Sequence, residues 1–219
     1  KHVNVRKPEK IEEIYLNNKH ETFKISTINL AKIPGVPIAY WVSERVQKIF
    51  QSSKLLKDLT LPRQGLATSD NDKFLRNWFE VYKDNIGLEF INLEDAKFSR
   101  KKWFPYNKGG DFRKWYGNND YVVNWQNDGY DIRNFKDSNG KIRSAVRNPS
   151  FYFKEGITWS FVGANFGSRY TPLGHIFDVG GSSLFPESKD ILKITSLFCS
   201  KLSNYFLGIL NPTFNFQVG

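Results

Sequence analysis

Apolar positions recur at helical spacing in three places over the first 83 residues. A short amphipathic stretch runs from Pro8 to Leu16, with Ile11, Ile14 and Tyr15 on one face. A second follows a Ser43 cap through Val46, Ile49 and Phe50. The third begins after a loop at Arg63–Asn71 and carries Phe74, Leu75, Trp78, Phe79 and Tyr82, predicting a helix over 70–83. Between the first two lie an extended stretch, Thr22–Leu30, and a Pro-Gly-Val-Pro turn at 34–37; a polar run at Gln51–Lys54 marks a boundary.

Beyond residue 83 the pattern becomes strand-like. Leu88–Leu93, Tyr121–Trp125, Ser150–Phe153, Ile157–Val162 and His175–Val179 are rich in β-branched and aromatic residues and bounded by Gly, Pro, Asn or Asp. Asp137-Ser138-Asn139-Gly140 predicts a tight reversal joining Tyr130–Phe135 to Lys141–Val146. A single helix of about twenty residues closes the chain, from a Ser188 cap through Ile191, Ile194, Phe198, Leu202, Tyr205, Phe206 and Ile209. The expected fold is therefore α+β: a twisted, mixed or antiparallel sheet flanked by helices near 70–83 and 188–210.

Composition adds a partner to this picture. Of 219 residues, 16% are aromatic, and 32 Lys and Arg against 22 Asp and Glu leave a net charge of +10, which favours polyanions. The surplus is concentrated: the window Lys97–Arg147 holds twelve cations and five carboxylates. Inside it, KKWFPYNKGGDFRKWYGN at 101–118 interleaves cations with Trp103, Phe104, Tyr106, Phe112, Trp115 and Tyr116, and Gly109 and Gly110 permit close backbone approach. Lys and Arg neutralise phosphates, aromatic faces pack on sugars or unstacked bases, and Asn or Arg pairs bidentately with base edges. The competing reading is a solvated basic face whose aromatics are packing; the clustering favours binding. GLATSDNDKF at 65–74 is a helix start whose Thr68, Ser69, Asp70 and Asn71 either cap backbone N–H groups or hold a phosphate.

Other chemistries find little support. Neither GxxxxGK[ST] nor GxGxxG occurs, and Glu94-Asp95-Ala96-Lys97 is the one weak nuclease-like cluster. One cysteine, Cys199, and three dispersed histidines, His2, His20 and His175, argue against disulfides and a zinc cluster and for a cytoplasmic setting. Cys199 and His175 read as structural. The apolar stretch 191–210 is interrupted by Lys193 and Lys201, so no membrane partner is expected. The absence of methionine and the start at Lys1 suggest an excised piece of a larger protein.

Five long strings carry a resemblance: IPGVPIAYWVSE (33–44), RQGLATSDNDKFLRNW (63–78), KKWFPYNKGGDFRKWYGNNDYVVNW (101–125), YFKEGITWSF (152–161) and FDVGGSSLFP (177–186). In these the chain resembles PglX-type adenine-specific DNA methyltransferases of BREX phage-defence systems, relatives of restriction-modification enzymes with fused recognition domains. Ser69 departs from that pattern, which usually has Gly there, and implies a less tight loop. The resemblance implies methylation of adenine N6 from S-adenosylmethionine, with the base flipped out of the duplex. The Asn/Asp-Pro-Pro-Tyr/Phe loop and glycine-rich cofactor loop of that chemistry are missing from this sequence; Asn148-Pro149-Ser150-Phe151 and Asn211-Pro212-Thr213-Phe214 lack the second proline. Residues 1–60 then correspond to the end of a catalytic region and 61–219 to a target-recognition domain truncated at its C-terminus, with no catalytic residue, metal or cofactor of its own.

The partner implied is duplex DNA. Candidate contacts are Thr68, Asn71, Lys101, Lys102, Trp103, Tyr106, Asn107, Lys108, Arg113, Lys114, Trp115, Tyr116, Asn118, Asn119, Arg143, Arg147 and Arg169, with Lys101, Lys102, Lys108, Arg113 and Lys114 gripping phosphates. The alternative is a protein-interaction module docking another defence subunit or a phage anti-defence protein; single-stranded nucleic acid is a third reading.

Overall fold

The segment WFPYN, at the heart of the basic window, forms a central strand. In the computed structural model, which describes Leu16, residues 31–211 and residues 215–216, Trp103–Asn107 (β2) lies inside a four-stranded sheet. Its other strands are Leu75–Asn77 (β1), Tyr121–Asn124 (β3) and Ile176–Phe177 (β6), in the order β1-β3-β2-β6. β3 pairs antiparallel with both β1 and β2, whereas β6 runs parallel to β2. Pro105 is tolerated because Trp103 and Asn107 turn their carbonyls toward Gly87 N and Asp178 N, away from β3. The Pro105 nitrogen faces that same side, where β6 pairs only with Tyr106 and Asn107.

A second, antiparallel sheet joins Ser168–Thr171 (β5), Gly156–Trp159 (β4) and Ser183–Leu184 (β7), in the order β5-β4-β7. One face, carrying Ile157, Trp159 and Leu184, packs on Ile191 and Ile194 of the helix Ser188–Cys199. Phe74, Phe104, Tyr106, Trp125, Tyr152, Phe153 and Phe177 fill a larger aromatic core around the four-stranded sheet. Their rings meet mainly edge to face, as Trp125 and Tyr152 do at 5.3 Å. The α+β class is as expected.

The chain divides into two compact units, 1–53 and 54–219. In the first, the Gly35-Val36 turn takes left-handed backbone and the expected helix spans Glu44–Ser52 (α1) after Ser43. The predicted helix at 8–16 and extended stretch at 22–30 lie outside the described residues, apart from Leu16.

Several expected elements differ. The helix predicted over 70–83 lasts only from Asn71 to Phe74 (α2), because Leu75–Asn77 is drawn into the sheet against β3, and Trp78 N–H bonds Asp120 O. Leu88–Leu93 is irregular, with Glu89 left-handed, and leads to the helix Leu93–Phe98 (α3). Ser150–Phe153 is a 3-10 turn at Pro149–Phe151. The reversal at 137–140 forms, with Gly140 at φ +78° and Lys136 opposite Ile142, but most of the expected first arm at 130–135 is helical, in the segment Gln126–Arg133 (α4), which is kinked at the left-handed Asn127, Asp128 and Gly129. The closing helix is two, Ser188–Cys199 (α5) and Lys201–Leu210 (α6). Ser200 breaks it: its backbone is extended, its hydroxyl donates to Leu197 O at 2.6 Å, and it accepts from Ser203 N–H. No helix among the described residues is long and apolar enough to cross a membrane.

Candidate nucleic-acid interface

Aromatic residues of the basic window divide between strand and loop. Phe104 and Tyr106 are core, Tyr106 fully buried, and Trp103 is buried beside Ile86 and Val122. The Tyr106 hydroxyl sits 2.5 Å from Asp178 Oδ2 and 3.1 Å from Leu66 O. Burial raises the pKa of both Tyr106 and Asp178, favouring their neutral forms. Asn107 is also buried, its amide donating to Thr171 Oγ1 at 3.0 Å. Trp103, Tyr106 and Asn107, expected to meet DNA, are instead buried, because packing covers both faces of β2 and the Tyr106 hydroxyl and Asn107 amide are engaged inside the protein. Lys101 is half-buried with Nζ 2.5 Å from Asp84 O, while Lys102 stays exposed over the Trp103 ring.

After Asn107 the chain leaves the sheet as a loop fixed by glycines. Gly109 takes φ +95°, and a side chain there would meet Gly180 O at 2.6 Å; one at Gly181 would meet Asn107 O at 2.1 Å. One at Gly167 would meet Arg113 O at 2.6 Å. Two strings of the sequence, NKGGDF and DVGGSS, thus interlock through bare backbone. Trp115 is bonded alongside β5, its N–H to Ser168 O at 2.9 Å and its O to Tyr170 N–H at 2.8 Å. This clamp leaves Phe112, Trp115 and Tyr116 about half exposed or more, at 54%, 55% and 59%. Arg113 is exposed, Lys108 lies over the Tyr121 ring at 4.7 Å, and Lys114 Nζ is tied to Cys199 O at 2.5 Å. Asn118 donates to Asp111 O at 2.9 Å, and Asn119 is half-buried.

A second cluster forms where two loops extend the sheet beyond β6. Leu66 N–H bonds Phe177 O, and Ala67 exchanges two 2.9 Å bonds with Ala145. Ser69 Oγ donates to Arg143 O at 2.7 Å. Ser69 keeps left-handed backbone, φ +62°, the conformation glycine would favour. Asp70 caps α2 by accepting from Lys73 N–H, and the buried Thr68 donates its hydroxyl to Asn71 Oδ1 at 2.9 Å. Lys73 Nζ and Arg143 Cζ both stack on Phe135, at 4.6 and 5.2 Å, and Arg147 is exposed. Lys73, Lys136 and Phe135 line a depression of about 480 Å³. Lys73 and Lys136 were not singled out by sequence; the capping motif and the Asn-Gly turn that place them were visible, but their meeting at Phe135 is a tertiary event.

A groove of about 570 Å³ opens over β2 and β3, lined by Trp78, Phe79, Leu88, Tyr116, Asn119 and His175 among others. Burial lowers the pKa of His175, so the ring is neutral at pH 7. Arg169 is 1% exposed, on the face of β5 opposite α5. The remaining candidates are locally satisfied. Asp95 belongs to the N-terminal turn of α3, where Asn92 caps its N–H at 2.8 Å, and among the described residues no three metal-ligating side chains cluster. Asn148 donates its amide to Gln64 O at 3.0 Å, and Cys199 is buried with its thiol 3.2 Å from Ser168 O. Pro212, Thr213 and Phe214 lie outside the described residues.

No family model matches the sequence. The chain is 41% identical over 210 residues to the adenine-specific methyltransferase PglX of Lacticaseibacillus casei (strain Zhang), covering 92% of this chain and 17% of that protein. It is 39% identical over 211 residues to the adenine-specific methyltransferase BrxX of Escherichia coli O9:H4 (strain HS), covering 93% of this chain and 16% of that protein. The chain thus spans about a sixth of the length of these relatives. The resemblance read from the five strings is borne out over nearly all of the chain.

Proposed function

We propose, for a chain homologous over nine-tenths of its length to a segment of PglX- and BrxX-type adenine-specific methyltransferases, that it reads duplex DNA for a methyltransferase of bacterial phage defence. Residues 61–219 act as the target-recognition domain and residues 1–60 close the catalytic region. Transfer of a methyl group from S-adenosylmethionine to adenine N6 belongs to the remainder of the parent protein, in the cytoplasm. Asn148, the nearest match to an adenine-binding asparagine, has its amide engaged by Gln64 O, and no step of the chemistry is assigned to this chain's residues.

One observation carries the reading: a backbone-locked loop that holds Arg113 and Lys108 beside half-exposed Trp115 and Tyr116. Such a loop meets phosphates and sugars in a fixed register, which positions but does not specify. Lys102, also exposed, extends this grip. Arg143, over the Phe135 ring, and the exposed Asn71 and Arg147 are the candidate base readers. Mapping methylated adenines in a genome carrying the full-length protein tests this: changing Arg143 or Arg147 is expected to shift or relax the methylated site. An unchanged site with unchanged occupancy removes both from recognition.

A second reading, docking of another defence subunit or a phage anti-defence protein, is favoured by the aromatic groove at Trp78 and Phe79. It predicts a protein partner whose affinity is insensitive to salt and is lost on Trp78→Ala.

A further inference from the structure

The four-stranded sheet is covered unequally on its two faces. Phe104, Tyr106 and Val123 turn one face into the aromatic core, and on the other Trp103 and Val122 pack with Ile86 and Val81. Pro105 stands opposite Val122 in the register, so the two share that second face. Both line the groove of about 570 Å³, which is within the size range of small-ligand sites. Its aromatic residues remain accessible: Trp78, Phe79 and Tyr116 are 55%, 67% and 59% exposed. Large rings gathered at one open groove mark a binding surface.

Charge selects the occupant. Lys83 lines the groove, Lys108 Nζ lies 4.7 Å over the ring of Tyr121, which also lines it, and no carboxylate is among the described lining residues. An anionic ligand with a flat apolar body fits that combination, because ring faces stack on it and ammonium groups meet its charge. Asn119 and His175 supply the polar edge. The Asn119 amide offers a donor and an acceptor side by side, the pattern that pairs with a base edge. Burial keeps His175 neutral, with one ring nitrogen a donor and the other an acceptor. Tyr116 and Asn119 also belong to the loop 108–119, so the groove continues from the surface proposed to grip phosphates.

We propose that this groove holds one nucleobase outside the base stack, its ring on Trp78, Phe79 and Tyr116 and its phosphate at Lys83 and Lys108. Placing that base beside a duplex rests on the DNA-reading function above; nucleotide binding by the groove does not.

Calorimetric titration of the 219-residue chain with deoxyadenosine monophosphate, against deoxyribose phosphate, tests the groove alone. The nucleotide is expected to bind about ten-fold tighter than its base-free counterpart. Trp78→Ala and Phe79→Ala, both at exposed positions, should each weaken it about ten-fold, and Lys189→Gln should leave it unchanged. Equal affinity for the two compounds, binding of neither, or undiminished affinity in both alanine variants overturns the site and leaves the groove to a protein partner. A duplex with one unpaired adenine should likewise bind about ten-fold tighter than the same duplex with an abasic residue there, and Phe79→Ala should bring the two together. A chain that binds the nucleotide but neither duplex overturns the DNA-reading function while leaving the groove standing. Equal affinity for the two duplexes overturns the placement of the base beside DNA.

Discussion

The loop 108–119 and the 68–73/136–147 edge are both basic and aromatic, yet they are held by different physics. The loop is locked by backbone approach so close that Gly109, Gly167 and Gly181 admit no side chain. The edge is held by the Ala67–Ala145 bonds, a four-residue helix with an Asp70 cap, and two cations stacked on one ring. The first fixes where charge sits. The second leaves long side chains room to choose partners, and this is the division of labour expected between phosphate gripping and base reading.

That contrast is most sharply broken at the glycines. Gly181→Ala must displace Asn107 O and is expected to destabilise by about 3 kcal/mol or more in urea titration. Gly140→Ala, at φ +78° with nothing within 4 Å, strains only its own backbone and should lose about 1 kcal/mol. Equal effects would mean the loop is not locked.

Beneath the loop, Tyr106→Phe removes the hydroxyl from buried Asp178 and should lower stability by about 1–3 kcal/mol. Burial raises the Asp178 pKa above its ordinary value of 3.8, so folding binds its proton more tightly. The stability that proton gives is lost as pH rises from that value through the raised one. Asp178→Asn should therefore gain stability relative to the native chain over that interval; a constant difference contradicts it.

For binding, Trp115→Ala is expected to lower duplex affinity about ten-fold for every sequence, measured by fluorescence anisotropy. Arg143→Ala should instead change affinity by different factors for different sequences. The smallest effect is at Ser69. Ser69→Ala keeps the left-handed strain and loses the bond to Arg143 O, at about 1 kcal/mol, whereas Ser69→Gly trades one for the other and should stay within about 0.5 kcal/mol.

Elements whose local signal agrees with their packing were legible: α1 after Ser43, the strands at 121–124 and 156–159, and the Asn-Gly reversal. Helical spacing at 74–82 misled because Leu75 and Arg76 pair with Val123 and Val122, a gain that periodicity does not encode. The split at Ser200 was hidden by continuous apolar spacing, although Ser200 and Ser203 form a capping pair. For the proposed site, charge and aromatic clustering pointed to the loop. They could not tell Tyr106, in the strand, from Tyr116, outside it, since both lie in one basic string and only sheet pairing separates them. Burial of Arg169, in β5 alongside the distant Trp115, left no local trace.

The central claim is that the glycine-locked loop grips the DNA backbone. The most direct measurement is the salt dependence of binding to a mixed duplex pool, comparing the native chain with a Lys108→Gln, Arg113→Gln, Lys114→Gln triple variant. Each phosphate contact contributes about 0.9 to the slope of log affinity against log salt. The native chain should bind with a steep slope, and the variant's should be shallower by about 2 units, Lys114 contributing little because its ammonium is held by Cys199 O. Salt-independent native binding, or identical slopes for the two proteins, would contradict the account.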